Sequence, residues 1–188
     1  DRFLGNVVAD KGWLYGGAVR WRGSRGLDPQ GWRASGDVRL EGAAVDFAVA
    51  PPGTDGNAYG RALIETSVSR GFGRFAASLT GAAGTTTGAL PAQRHFFLGG
   101  LQSVRGQTPG TGYGQAFWLS RFELGANNAA FRPVVFGDLG WAGARDGWGE
   151  VGRPMSGAGV GVSFLDGMFR FDVARGIYPR VQTRIDLS

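Results

Sequence analysis

The feature that most constrains the fold of this chain is an alternation of polar and apolar side chains along most of its length. Successive side chains of an extended strand point to opposite faces, so a period of two residues predicts a strand with one apolar face. Glycine and proline clusters such as Pro51–Asn57 separate the runs as turns. We expect about ten strands and no helix, which is an all-β fold. The clearest runs are residues 13–22, 32–49, 58–69, 73–81, 114–124, 131–143, 156–165 and 181–188.

Composition narrows the class of protein further. The 188 residues suit a single domain, and 35 of them are glycine. The chain has no cysteine, which excludes disulfide bonds and thiolate zinc sites. No apolar run approaches the roughly 18 residues that a membrane-spanning helix needs. A barrel strand needs only about 9–11 residues with one apolar face, so a membrane protein that crosses with strands is compatible with this composition.

The charged residues separate a soluble β-sandwich from a membrane barrel, since both show the alternation. The polar face of a sandwich meets water, whereas the polar face of a barrel lines the lumen, where opposite charges must lie close and balance. Nearly every run mixes the two signs on its polar face, as at Asp37, Arg39 and Glu41. Aromatic residues near the run ends are typical of interfacial girdles: Trp13, Trp21, Trp118, Trp141 and Tyr178. We therefore predict an antiparallel transmembrane β-barrel.

The net charge of +5 and the pI near 10.4 raise the question of nucleic-acid binding. The basic residues are almost all arginine, with Lys11 the only lysine, and they are spread singly along the chain. A surface that follows phosphates shows a clustered basic patch or stripe instead. The pattern favours the polar faces of many strands, and we expect no nucleic-acid partner.

An arginine in a glycine-flanked loop, Arg105, is the strongest candidate for a site. It lies in the segment 97–106, FLGGLQSVRG, which a Gly/Thr/Ala-rich segment, residues 81–92, precedes. Such an arginine must either stay in water or find an acid, and the next two runs offer Glu123 and Asp138. Glycines 157, 159 and 161 share one face and would leave room for a loop. We expect Arg105 to pair with Asp138, and with Glu123 beside it.

These residues resemble a known superfamily, the outer-membrane barrels of the BamA/TamA type and their two-partner-secretion relatives. The hallmark of the superfamily is a Val-Arg-Gly loop after a Gly-Gly segment, and an inward Phe-x-Asp-x-Gly strand receives it. The matching residues here are Gly99, Gly100, Val104, Arg105 and Gly106 in the loop, and Glu123, Phe136, Asp138 and Gly140 on the strands. Two positions depart from the pattern: Gln107 replaces an aromatic residue, and the chain stops at Ser188 without a terminal aromatic residue.

The resemblance implies a sixteen-stranded barrel in a bacterial outer membrane, with periplasmic POTRA domains upstream. Residues 1–188 would be its C-terminal part, and residues 93–112 would be a loop folded into the lumen. The implied function is to insert or translocate polypeptides, with outer-membrane lipids and unfolded outer-membrane or secreted polypeptides as partners. The implied mechanism opens a weakly paired seam between the first and last strands and needs no cofactor.

Three other functions fit the sequence. The chain could belong to a two-partner-secretion pore with one dedicated substrate. It could anchor an upstream enzyme, such as a patatin-like lipase. It could also be a small closed barrel of eight to ten strands with a structural role, which would not need a buried Arg105.

We expect no catalytic or metal site in this chain. His95 is the only histidine, and no Gly-x-Ser-x-Gly motif accompanies it. One histidine and scattered carboxylates do not make a metal site. The glycine-rich run 157–161 lacks the surrounding βαβ unit of a dinucleotide loop and is better explained as a glycine-lined strand.

Overall fold

The computed structural model describes residues 10–28, 30–49, 56–128 and 130–188. Over these residues the chain forms strands joined by turns and three short 3-10 helices, so the predicted all-β fold is confirmed. The strands are β1 Gly12–Arg25, β2 Trp32–Phe47, β3 Ala58–Phe72, β4 Phe75–Gly88, β5 Phe96–Leu98, β6 Gly112–Gly114, β7 Ala116–Ala126, β8 Phe131–Gly143, β9 Met155–Phe164, β10 Phe169–Tyr178 and β11 Gln182–Leu187. The 3-10 helices are Ala92–Arg94, Arg145–Gly149 and Leu165–Gly167.

Nine of the strands form one antiparallel sheet in the order β1-β2-β3-β4-β7-β8-β9-β10-β11. Strands β5 and β6 pair separately as a short hairpin. Each long strand therefore lies beside the strand that follows it along the chain, apart from the insertion between β4 and β7. At the tightest connection Phe72 pairs with Phe75, and Gly73 between them has φ +63. This glycine suits a type II′ hairpin turn, whose first central residue needs a positive φ.

The sheet has two chemically distinct faces, which we call inner and outer. The inner face carries many charged side chains, among them Asp37, Glu123 and Asp138. The outer face carries exposed apolar side chains, such as Val135 at 50% and Val160 at 56% exposure. On β8 the predicted division between the two faces is confirmed, because Phe136 and Asp138 are buried while Val135 and Leu139 are exposed.

Apolar packing on the inner face lies beneath the connection from β4 to β7. Its main cluster joins strands β5, β7 and β9 with the connection itself: Phe96, Leu98, Val104, Phe117, Leu119 and Met155. The rings of Phe96 and Phe117 lie with their centroids 4.5 Å apart. The core of the molecule is therefore built between the sheet and one inserted segment.

Two strands differ from the sequence prediction. β4 continues to Gly88, through residues that we assigned to a linking segment, because its small residues are needed on the inner face. A side chain at Gly84, for example, would overlap the rings of Phe96 and Phe117. The prediction also omitted β10, Phe169–Tyr178, although Phe171 and Val173 alternate with Arg170 and Asp172 in the expected way. The predicted turn at residues 51–57 lies mostly outside the described residues.

The two edge strands of the sheet, β1 and β11, are unpaired on their outer sides over the described residues. In that part of the chain β1 pairs only with β2, and β11 pairs only with β10. None of the helices in the described ranges is long and apolar enough to cross a membrane.

Candidate functional site

The connection between β4 and β7, residues 89–115, folds over the inner face of the sheet and includes the predicted loop 93–112. Two glycines with positive φ, Gly99 at +111 and Gly100 at +84, turn the chain directly after β5. The amide of Gly99 donates a hydrogen bond to Oγ of Ser103 at 2.6 Å, and the amide of Gly100 donates to the carbonyl of Gln107 at 2.8 Å. These bonds close residues 99–107 into a compact loop that presents Arg105 to the sheet.

Arg105 is fully buried and binds two carboxylates. Its Nε donates to Oδ2 of Asp138 at 2.7 Å, its Nη2 donates to Oδ1 at 2.6 Å, and its backbone amide donates to Oδ2 at 3.0 Å. Its Nη1 donates to Oε1 of Glu123 on β7. The guanidinium carbon lies 3.6 Å from the ring centroid of Phe136. The structure thus brings together the loop arginine and three of the strand residues that the sequence singled out.

Three further charged residues complete the site. Arg170 on β10 binds Glu123 through Nη2 and Oε1 at 2.9 Å, and it binds Asp172 through Nε at 2.9 Å. Arg121 on β7 lies with Nε 3.6 Å from Oδ1 of Asp138. The cluster therefore contains three arginines and three carboxylates, so its formal charges balance. We call it the Arg105 cluster: Arg105, Arg121, Glu123, Asp138, Arg170 and Asp172.

The electrostatics of the cluster keep the loop arginine charged. Burial alone would lower the pKa of the Arg105 guanidinium, but the hydrogen bonds to Asp138 and the charges of Asp138 and Glu123 raise that pKa above its usual value. A buried charge that retains its partners is held in place, because removing one partner leaves the other uncompensated. Bidentate pairing adds orientation, since the planar guanidinium matches the carboxylate in one geometry.

Glycines make room for the loop against the sheet. A methyl group at Gly157 on β9 would overlap the carbonyl oxygen of Arg105, and a side chain at Gly106 would overlap the backbone of β10 at Gly176. Gly140 on β8 lies beneath Val104, which is fully buried. The predicted role of the glycine-lined strand therefore applies to Gly157 directly. Gly159 and Gly161 instead accommodate Phe136 and Asp172.

Gln107 fixes the other side of the loop, although the sequence identified it only as a departure from the superfamily pattern. Its side chain is fully buried. Its Nε2 lies 3.0–3.1 Å from three carbonyl oxygens, which belong to Ser156, Tyr178 and Arg180. From β11, Gln182 donates to the carbonyl of Gly106 at 3.0 Å. The amide at this position therefore joins the loop to β9, to the end of β10 and to the turn that precedes β11.

A second charged cluster connects the beginning of the inserted segment to β2 and β3. Glu41 is nearly buried and accepts a 2.5 Å hydrogen bond from the hydroxyl of Tyr59. The Nη1 atoms of Arg94 and Arg61 lie 3.4 and 3.9 Å from its carboxylate oxygens. The connection is thus held by ion pairs at two places on the inner face, one on β2 and one on β7 and β8.

Part of the inner face stays open. An open cavity of about 620 Å³, lined by both charged and apolar residues, lies between β1–β4 and the loop. Its lining contains three arginines, Arg20, Arg22 and Arg121, and two carboxylates, Asp37 and Glu65. Residues 99–107 therefore pack on the inner face of β7–β11 and leave this part of the inner face of β1–β4 open.

Comparison with known proteins adds no family. No protein-family model matches the chain, and no curated protein matches it.

Proposed function

We propose that this chain is the C-terminal part of a sixteen-stranded barrel in a bacterial outer membrane, and that the barrel inserts or translocates polypeptides. The observation that carries the proposal is the Arg105 cluster. A fully buried loop arginine is bound to carboxylates on two neighbouring strands, in a chain whose motifs resemble those of BamA/TamA-type barrels. A charge-balanced inner face with a loop packed on it is what a lumen requires.

The outer face supports membrane placement. Exposed apolar residues run along its middle, including Leu40, Ile64, Leu79, Val135 and Val160. Exposed aromatic residues lie at both strand ends, with Trp13, Tyr15 and Trp148 at one end and Trp32, Phe72, Phe75, Phe131, Phe164 and Phe169 at the other. An apolar band between two aromatic girdles is the surface that a membrane barrel presents to lipid.

The mechanism rests on the free edge of β11. An edge strand presents unpaired backbone groups to which another strand can add by main-chain hydrogen bonds. In the whole barrel we propose that β11 meets the first strand in a weakly paired seam, which opens towards the membrane. The loop stabilises β7–β10 through the Arg105 cluster while the seam moves. No cofactor takes part in this mechanism.

The open cavity favours a second candidate function. A path of about 620 Å³ beside the loop suits a two-partner-secretion pore, through which a substrate would pass along the lumen instead of entering the membrane. A barrel that anchors an upstream patatin-like lipase, or a small structural barrel, would not need this cavity.

Reconstitution tests the proposal. The full-length protein is placed in phospholipid vesicles and mixed with a urea-unfolded eight-stranded outer-membrane barrel as the client. Protease-protected client should appear faster than in empty vesicles, and Asp138→Ala should reduce that gain. Asp46→Ala, which removes an exposed carboxylate from the same sheet, is the control. Equal rates with and without the protein would contradict insertion, and export of a client from loaded vesicles would favour the pore.

A further inference from the structure

The two ends of the sheet differ in the length of their connections. At one end are residues 26–31, 73–74, 127–130 and 165–168, and at the other are residues 48–57, 89–115, 144–154 and 179–181. Outer-membrane barrels have short periplasmic turns and longer external loops. The second end therefore faces the external leaflet, provided that the proposed membrane placement holds, and the inference below rests on that placement.

Two arginines and a tyrosine meet on the outer face at this external end. Tyr178 pairs with Ser156 across an irregularity in the ladder after Gly176, which turns the tyrosine to the outer face. The guanidinium of Arg153 lies 4.7 Å from the centroid of its ring. Arg175 pairs with Ala158 on β9. Ala158 lies two residues from Ser156, the partner of Tyr178, so the two positions on β9 are about 7 Å apart. Arg175 is exposed between the buried residues Ala174 and Gly176, so it too points outward.

In the described part of the chain, Arg153 and Arg175 have no carboxylate partner. Among the described residues no carboxylate oxygen lies within 4.0 Å of a side-chain nitrogen of Arg153 or Arg175. Arg175 makes a single long contact, 3.5 Å from Nη1 to Oγ1 of Thr183. An arginine on a lipid-facing surface is unfavourable near the membrane centre and tolerated at the headgroup level, where it finds anions. Both side chains thus offer free donors where headgroups lie.

We propose that Arg153, Arg175 and Tyr178 bind the phosphate of a phosphorylated, acylated sugar in the external leaflet. The Arg153 guanidinium lies against the Tyr178 ring, and Arg175 lies two ladder positions from Tyr178, so both arginines can donate charge-assisted hydrogen bonds to one phosphate. The apolar outer face continues from the site through Val160 and Val173, where the acyl chains of the same lipid would lie. Charge complementarity and this continuous apolar surface together favour a membrane glycolipid over free phosphate.

Native mass spectrometry tests the site. The full-length protein is extracted from outer membranes in mild detergent, and the glycolipid that it retains is counted. Arg153→Gln combined with Arg175→Gln should reduce retention by at least about tenfold, because one charge-assisted hydrogen bond already accounts for roughly that factor and the variant loses two such donors. Arg70→Gln is the matched control, since Arg70 is exposed on the outer face over Trp32 at 5.2 Å but lies at the opposite end of the sheet. It should retain the lipid as the unaltered protein does.

Three results would overturn the site while leaving the membrane placement intact. The double variant could retain as much glycolipid as the unaltered protein, or the unaltered protein could retain glycolipid whose phosphate has been removed enzymatically. The unaltered protein could also retain phosphatidylglycerol instead of the glycolipid. Heat-modifiable migration in gels checks that the double variant folds. If it does not, the two single variants are measured in its stead. Recovery of the unaltered protein outside the outer-membrane fraction would contradict the proposed function itself, which separates the two failures.

Discussion

Arg105 is charged and fully buried, so protein groups must replace the hydrogen bonds that water would make. Asp138 accepts most of them. Replacing Asp138 with alanine removes three hydrogen bonds to Arg105 at once. Breaking a buried ion pair in this way costs about 3–5 kcal/mol. Glu123 still binds the guanidinium, so we expect a loss near the lower end, about 3 kcal/mol. The midpoint of urea-induced unfolding in detergent micelles measures the loss.

The control for this variant is Asp46→Ala, because Asp46 is exposed on β2 and makes no ion pair within the described ranges. Its midpoint should match that of the unaltered protein. An unchanged midpoint for Asp138→Ala would show that the Arg105 cluster does not stabilise the fold.

A second prediction concerns Gln107, whose hydrogen bonds lead to β9, to the end of β10 and to the turn that precedes the edge strand β11. Gln107→Leu leaves the volume nearly unchanged but removes the donor that faces three carbonyls. An unsatisfied buried carbonyl costs about 1–3 kcal/mol. We expect faster hydrogen exchange at residues 182–187, measured by mass spectrometry. Gln102→Leu, on an exposed side chain of the same loop, should leave that exchange unchanged. Equal exchange in both variants would mean that Gln107 does not restrain β11.

The sequence predicted part of the site at the residue scale. Three residues stood out, because an isolated arginine in a glycine-flanked loop needs an acid: Arg105, Glu123 and Asp138. Arg170 and Asp172 were missed together with their strand, although their two-residue spacing places both on one face of β10. Gln107 could not be foreseen, because its partners are backbone carbonyls from two separate segments and only the folded chain brings them together.

Glycine at position 157 shows how an element admits the loop. Gly157→Ala places a methyl group where the carbonyl of Arg105 lies, so the loop must shift away from β9. Overpacking of this kind costs about 1–3 kcal/mol, which is a factor of about ten in the population of displaced loop. Since the chain has no cysteine, Ser103→Cys gives a single buried reporter. We expect maleimide to label it about ten times faster in the Gly157→Ala background.

Gly137→Ala is the matched control for that measurement. Gly137 lies on the neighbouring strand β8, and no atom lies within contact distance of a side chain built there. Its labelling rate should equal that of the reporter alone. Equal acceleration by both alanines would point to general loosening of the sheet instead of displacement of the loop.

At the scale of strands, the alternating pattern identified most of the sheet. It was sufficient for β8, where apolar and polar residues differ sharply on the two faces. It failed for the second half of β4, because Ala82, Gly84 and Thr86 barely differ in polarity from their outward neighbours. Small residues are required there by the aromatic rings of the inserted segment, a tertiary contact that a local pattern does not contain.

At the scale of the whole molecule, the nine strands form a sheet with a charged inner face, an apolar outer face and two open edges in the described part of the chain. A soluble protein would expose the charged face and cover the apolar one. Here the arrangement is inverted, because the inserted loop covers part of the charged face while the apolar face stays exposed. This inversion is the property that membrane insertion explains most simply.

The decisive measurement is the structure of the full-length protein in a lipid nanodisc. We predict a closed barrel of sixteen strands that includes β1–β4 and β7–β11, with Arg105 bound to Asp138 inside the lumen and the apolar face against lipid. A small closed barrel, or a sheet whose apolar face packs on another protein layer with Arg105 in solvent, would contradict it.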